Sequence, residues 1–107
     1  MKIDNINNFK KGWFIGDFIP SLYKTSNFEV AVKHYNKGEK EQKHIHKVAT
    51  EFTIIISGSV KMNNIEYKEG DIVVLEPNEA SDFESLSDNT KTLVVKVPSA
   101  KDDKYFV

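Results

Sequence analysis

Short apolar runs separated by polar turns recur along this chain, and most of them alternate with a period of two. Phe28 to Tyr35 is a mostly alternating run of β-branched or aromatic and polar residues. Further runs occupy Glu51–Ile56, Ser59–Met62, Ile65–Lys68, Asp71–Leu75 and Thr92–Val97. Period two puts successive side chains on opposite faces, so each run predicts a β-strand. Met62-Asn63-Asn64-Ile65 predicts a short hairpin connection, and Lys68-Glu69-Gly70-Asp71 a turn with glycine in the permissive backbone. Pro20, Pro77 and Pro98 fall beside strands, where a missing N–H breaks no ladder. No window longer than about ten residues keeps a capped 3.6-residue period, so any helix is short. Closely spaced strands predict an antiparallel sandwich or small barrel. Phe52, Ile54, Ile55, Ile56, Val73, Val74 and Leu75 are too many for a single sheet with a wet face, so two sheets must close on each other.

Size limits this architecture to one domain, since 107 residues leave no room for a second core. Residues 28–107 are read as the barrel. Residues 1–27, with the aromatic stretch Gly12 to Pro20, are read as an N-terminal arm that packs on the barrel or crosses to a partner. A barrel this small has limited core for its surface, which predicts a homodimer formed through a sheet face or an exchanged N-terminal strand. The polar turn Lys101 to Lys104 precedes apolar Tyr105-Phe106-Val107, so the tail is expected to dock. Fifteen lysines balance sixteen acids, for a net charge of -1, which gives no electrostatic argument for nucleic acid. Zero cysteines exclude thiolate nucleophiles and cysteine zinc knots. The start of the chain has no signal-peptide core and no run is long enough to span a membrane, so the expectation is a soluble cytoplasmic protein with no membrane partner.

Chemistry concentrates between Gly38 and Gly58. His44 and His46 share one face of an extended backbone, and Glu51 opens the next apolar run after a turn over Lys47 to Thr50. Two imidazoles and a carboxylate converging on sheet edges suit a borderline divalent ion: Zn, Ni, Fe or Mn. Each imidazole must then be neutral, with its second ring nitrogen oriented by a hydrogen bond.

Gly38, His44, His46, Glu51 and Gly58 resemble the first motif of the cupin superfamily at every position: a glycine, five residues, His-x-His, four residues, glutamate, six residues, glycine. The second cupin motif is degenerate here. Gly70-Asp71 and Pro77 are kept with one extra residue between them, Glu79 replaces the second glycine, and Asp82 stands at the histidine position. Leu86 falls at the last asparagine position. The resemblance covers roughly Phe28 to Val97 and implies an all-β double-stranded β-helix, a jelly-roll barrel. It also implies that one divalent ion is bound by His44, His46 and Glu51, with Asp82 as fourth ligand. Asp82 is alternatively a general base or a surface acid, and Glu84 is its substitute as ligand.

Around that centre, Thr53 and Ile55 follow Glu51 on one face and are candidates to line a cavity. Lys33, Tyr35 and Tyr67 are further candidates for polar contacts, while His34 reads as a pocket-lining or core histidine rather than a ligand. Every basic residue is lysine, so no guanidinium can clamp a phosphate or carboxylate. Small cupins include isomerases, epimerases, lyases and dioxygenases. The resemblance therefore implies a metal-dependent enzyme acting on a sugar or related small polar metabolite, with Glu51 and Asp82 as its catalytic carboxylates. The alternative is a non-catalytic cupin that binds a small molecule or keeps a structural metal.

Overall fold

Side-chain alternation becomes burial along each strand. In Thr90–Val97 the even positions Thr90, Thr92 and Val94 are buried while Leu93 and Val95 are only partly covered. The computed structural model describes all 107 residues, in eleven strands. These are β1 Trp13–Gly16, β2 Tyr23–Lys24, β3 Glu29–Tyr35, β4 Lys40–Ile45, β5 Thr50–Ser57 and β6 Ser59–Met62. The remainder are β7 Ile65–Lys68, β8 Ile72–Leu75, β9 Ser81–Ser85, β10 Thr90–Val97 and β11 Tyr105–Phe106. A six-stranded sheet runs β2-β1-β3-β10-β5-β8, and a five-stranded sheet runs β11-β4-β9-β6-β7. All pairings are antiparallel except the short β1–β2 contact.

The β6–β7 hairpin closes through Asn63 and Asn64, both at positive φ (50° and 65°), pairing Met62 with Ile65. A two-residue hairpin loop needs this left-handed pair because it matches the twist of the strands it joins, and asparagine tolerates it. Gly58, between β5 and β6, has φ +82°, and a Cβ there would stand 2.5 Å from Thr90 Oγ1. The glycine that closes the first motif is thus required by both backbone and space.

Ile55, Val60, Met62 and Phe83 form the core, with Tyr35, Tyr67, Val73 and Leu75 packed against them. Tyr35, Met62, Leu75 and Phe83 of this group also border the cavity. Helical structure is confined to two three-residue 3₁₀ turns, Ile6–Asn8 and Lys10–Gly12, and no helix is long and apolar enough to cross a membrane.

The alternating pattern did not show β4 or β9. Lys40-Glu41-Gln42-Lys43-His44-Ile45 is polar on both faces, because its inner face lines a polar cavity. Ser81-Asp82-Phe83-Glu84-Ser85 hides its alternation by burying two serines with one phenylalanine. The arm segments β1 and β2 extend the six-stranded sheet, and β11 docks on β4, with Tyr105 opposite Ile45 and Phe106 opposite His44.

Candidate metal centre

The chain crosses from the five-stranded to the six-stranded sheet through the turn between β4 and β5. His44 and His46 lie on the near side of this turn and Glu51 on the far side. Their ligand atoms lie within 4.8 Å of one another. His44 is half-buried, whereas His46 is only 5% exposed.

Hydrogen bonds fix both rings the same way. His44 Nδ1 lies 2.8 Å from the Gln42 carbonyl, and His46 Nδ1 is bonded to the Asp103 carbonyl. A carbonyl oxygen only accepts, so both Nδ1 atoms donate, and in the neutral rings both Nε2 atoms carry lone pairs. His46 Nε2 faces Glu51 Oε2 at 2.8 Å, in a position with no other hydrogen-bond partner. Two buried acceptors held this close require a proton or a metal cation between them. The residues therefore fit one divalent ion, with two imidazole nitrogens and a carboxylate oxygen as ligands.

Protonation states agree with that fit. Burial would raise the Glu51 carboxyl, but a proton shared with His46 Nε2, together with Lys96, holds it below the ordinary glutamate range. Burial pushes the His44 imidazole below its usual value, with Lys104 and His46 adding to the effect against the Gln42 carbonyl. A neutral His44 and an ionised Glu51 are the forms that bind a metal.

Asp103 organises this turn from the other end of the sequence, 57 residues beyond His46. Its carboxylate accepts the backbone N–H groups of Lys47 (2.8 Å), Val48 (3.1 Å) and Ala49 (2.9 Å). The same residue thereby holds the β4–β5 turn through its side chain and the His46 ring through its backbone. Nothing local in Lys101 to Lys104 signals this role; only the apolar tail that follows hints that the segment is anchored.

Asp82 does not join the cluster. Ser81, Phe83 and Ser85 are the buried positions of β9, so Asp82 falls on the opposite face, exposed, where its Oδ1 accepts the Asn63 backbone N–H at 2.7 Å. Ser81 is the residue paired with His44. Because of the extra residue between Gly70 and Pro77, the histidine position falls on Asp82 when counted from Pro77 and on Ser81 when counted from Gly70, and one residue exchanges the faces of a strand. Glu84 is paired with Lys61 at 3.7 Å. His34 is exposed rather than part of the core.

Beside the cluster opens a cavity of about 810 Å³. Trp13, Lys33, Tyr35, Glu41, Thr53, Thr92, Lys96 and Lys104 contribute to its walls. Ile55 and Tyr67 belong instead to the hydrophobic core group. Tyr35 donates its hydroxyl to Glu41, and Lys33 Nζ lies 3.7 Å from the same carboxylate. Burial, followed by Glu41, pushes the Tyr35 hydroxyl well above its usual value, so it remains a donor. Burial opposes ionisation of Glu41, but Lys33, the Tyr35 hydroxyl and Lys104 outweigh it and hold its carboxyl below the usual range.

No protein-family model and no curated protein matches this chain. Solved structures do. An uncharacterized conserved protein with a double-stranded β-helix domain from Klebsiella pneumoniae aligns at 22% identity and TM-score 0.67, covering 78% of this chain and 72% of that one. KdgF from Halomonas sp. aligns at 15% identity and TM-score 0.66, covering 73% and 76%. The DMSP lyase DddQ from Ruegeria pomeroyi aligns at 15% identity and TM-score 0.73, covering 89% of this chain and 49% of that one, so this chain spans about half its length. These likenesses establish the cupin double-stranded β-helix fold.

Proposed function

We propose that this cupin-fold chain is a metal-dependent enzyme of the isomerase or epimerase type, moving a proton on a sugar or related small polar metabolite. The observation that carries the reading is the pair of buried acceptors, His46 Nε2 and Glu51 Oε2, 2.8 Å apart beside an open polar cavity. A divalent ion held by His44, His46 and Glu51 would supply Lewis-acid polarisation of a substrate oxygen. Glu41 is the group suited to accept a proton from substrate, because it is ionised and lines the cavity. Tyr35 donates to that carboxylate and orients it. Asp82, which lies outside the cluster, has no part in holding the ion.

The test is metal content and turnover together. Wild type and Asp82→Asn are each expected to carry one divalent ion per chain by elemental analysis. Loss of metal in Asp82→Asn would restore it as a ligand. Metal-loaded wild type inert toward sugars, sugar phosphates and keto acids would favour the non-catalytic binding reading.

The same reading includes a homodimer. On the outer face of the six-stranded sheet, Val30, Val95, Phe52 and Val74 form one cross-strand row, and Val32, Leu93, Ile54 and Ile72 form the next. Ile72 and Val74 are 61% and 45% exposed. Two uncharged rows on a twisted sheet are self-complementary about a twofold axis, as an isologous interface requires. Sedimentation equilibrium should give a dimer at micromolar concentration and a monomer for Ile54→Glu. A monomeric wild type would remove the proposal.

A further inference from the structure

The cavity wall formed by β3 and β10, beside the candidate metal ligands, gathers positive charge. Lys33 on β3 and Lys96 on β10 both point inward, with side chains only 16% and 17% exposed. Their ammonium groups share a single aromatic ring, lying 5.2 and 4.8 Å from the centroid of Trp13. Each has one carboxylate neighbour, Glu41 or Glu29, at 3.7 Å, which is beyond hydrogen-bond length. Two ammonium groups with three donors apiece thus stand beside one ring without a close acceptor. Across the strand pair from Lys33 is Thr92, 1% exposed, which lines the cavity and whose Oγ1 has no hydrogen-bond partner. Buried hydroxyls are normally satisfied, and this one is not.

Charge over the whole cavity points the same way. Leaving out Lys40 and Asp82, which occupy outward-facing positions of β4 and β9, four lysines (Lys11, Lys33, Lys96 and Lys104) line it against three carboxylates (Glu39, Glu41 and Glu51). That is one positive charge in excess, which a bound divalent ion raises to three. An uncharged sugar leaves this field unanswered, whereas an anion neutralises it and supplies the missing acceptors.

We infer that the molecule received here is a small carboxylic acid, its carboxylate held by the ammonium groups of Lys33 and Lys96, with the Thr92 hydroxyl completing the polar wall. This specifies the substrate class of the metal-dependent reading above and rests on it for the role of the ion. Within that reading it selects sugar acids and hydroxy or keto acids over neutral sugars. Cation–π contact with the Trp13 indole holds both ammonium groups in place to receive the carboxylate.

Calorimetric titration of malonate, with 1,3-propanediol as its uncharged counterpart and inorganic phosphate as a second anion, tests the inference on apoprotein and on Zn²⁺-loaded protein. Malonate is expected to bind both forms, more tightly with zinc, and the diol neither. Lys33→Met and Lys96→Met should each weaken malonate by about 10- to 100-fold. Thr92→Val should weaken it several-fold while raising the melting temperature, because a methyl replaces an unsatisfied buried hydroxyl; a purely structural threonine would not lower affinity. Malonate affinity unchanged in both lysine variants, equal binding of the diol, or phosphate bound more tightly than malonate would overturn the assignment. Absence of zinc binding, with the lysine dependence of malonate intact, would instead count against the metal reading and leave this one standing.

Discussion

Replacing His46 with alanine is expected to lower affinity for Zn²⁺ by more than about 100-fold. Loss of a group that merely orients a ligand costs about 10- to 100-fold, and His46 is itself a ligand in this account. The effect should also be visible in stability. An ion that binds only the folded chain adds about 2.7 kcal/mol at a free concentration of 100 times Kd. For a domain of this size that is a rise in Tm of roughly 10–20 °C. Calorimetric scans with and without zinc should show this rise in wild type and little or none in His46→Ala. Without metal, the variant loses packing but also removes the lone pair facing Glu51, so the two apoproteins should differ far less than the two metal-loaded ones. Equal zinc-induced rises would contradict ligation by His46.

Asp103→Ala should cost both stability and metal affinity, although Asp103 touches neither metal nor substrate. Its carboxylate satisfies three backbone N–H groups in one turn, and Ala49 among them is buried. Water can replace it at exposed Lys47 and Val48 but poorly at Ala49, so the expected loss is about 3 kcal/mol. Releasing the segment that holds His46 Nδ1 should weaken zinc by about 10- to 100-fold. Asp103→Asn keeps one acceptor oxygen and should recover part of both. The dependence on pH has a definite sign. Burial favours the neutral acid, but the N–H groups of Ala49, Lys47 and Val48 outweigh it and hold the carboxyl below its ordinary 3.8. A carboxyl with a depressed folded value stabilises above its unfolded value and loses that contribution as pH falls through the folded one. Denaturant midpoints of wild type and Asp103→Ala should therefore stay separated above about pH 5 and converge below 3.8. A gap that persists unchanged in strong acid would show that the carboxylate is not what holds the turn.

What could be read from sequence was what lies close together along the chain. The Asn63-Asn64 hairpin and the ligand set His44, His46 and Glu51 each depend on spacing within a few residues, and alternation placed Thr53 beside Glu51. The unread features depend on which strands meet. Thr92 and Lys33 become a pair only through the β3–β10 register, and Lys96 stands opposite Glu51 only through β5–β10. Asp103 looked like part of a solvated turn because its partners are the main chain of a distant loop, which no side-chain pattern reveals. Asp82 shows the opposite fault: counting from Pro77, beyond the inserted residue, gives a position one off from the count from Gly70, on a strand where parity decides everything.

If one ion is shared with Glu51, His44 and His46 must both present Nε2 to it. Histidine tautomers and their response to zinc can be read by two-dimensional ¹H–¹⁵N NMR of the imidazole rings. Nδ1–H is expected in both rings of the apoprotein, with His46 Nε2 sharing a proton with Glu51 that one equivalent of Zn²⁺ displaces. The Nε2 resonances of both rings should then shift while His34 stays silent. A His44 ring protonated at Nε2 and not at Nδ1 in the apoprotein, or zinc-induced shifts at His34 with none at His46, would contradict shared ligation.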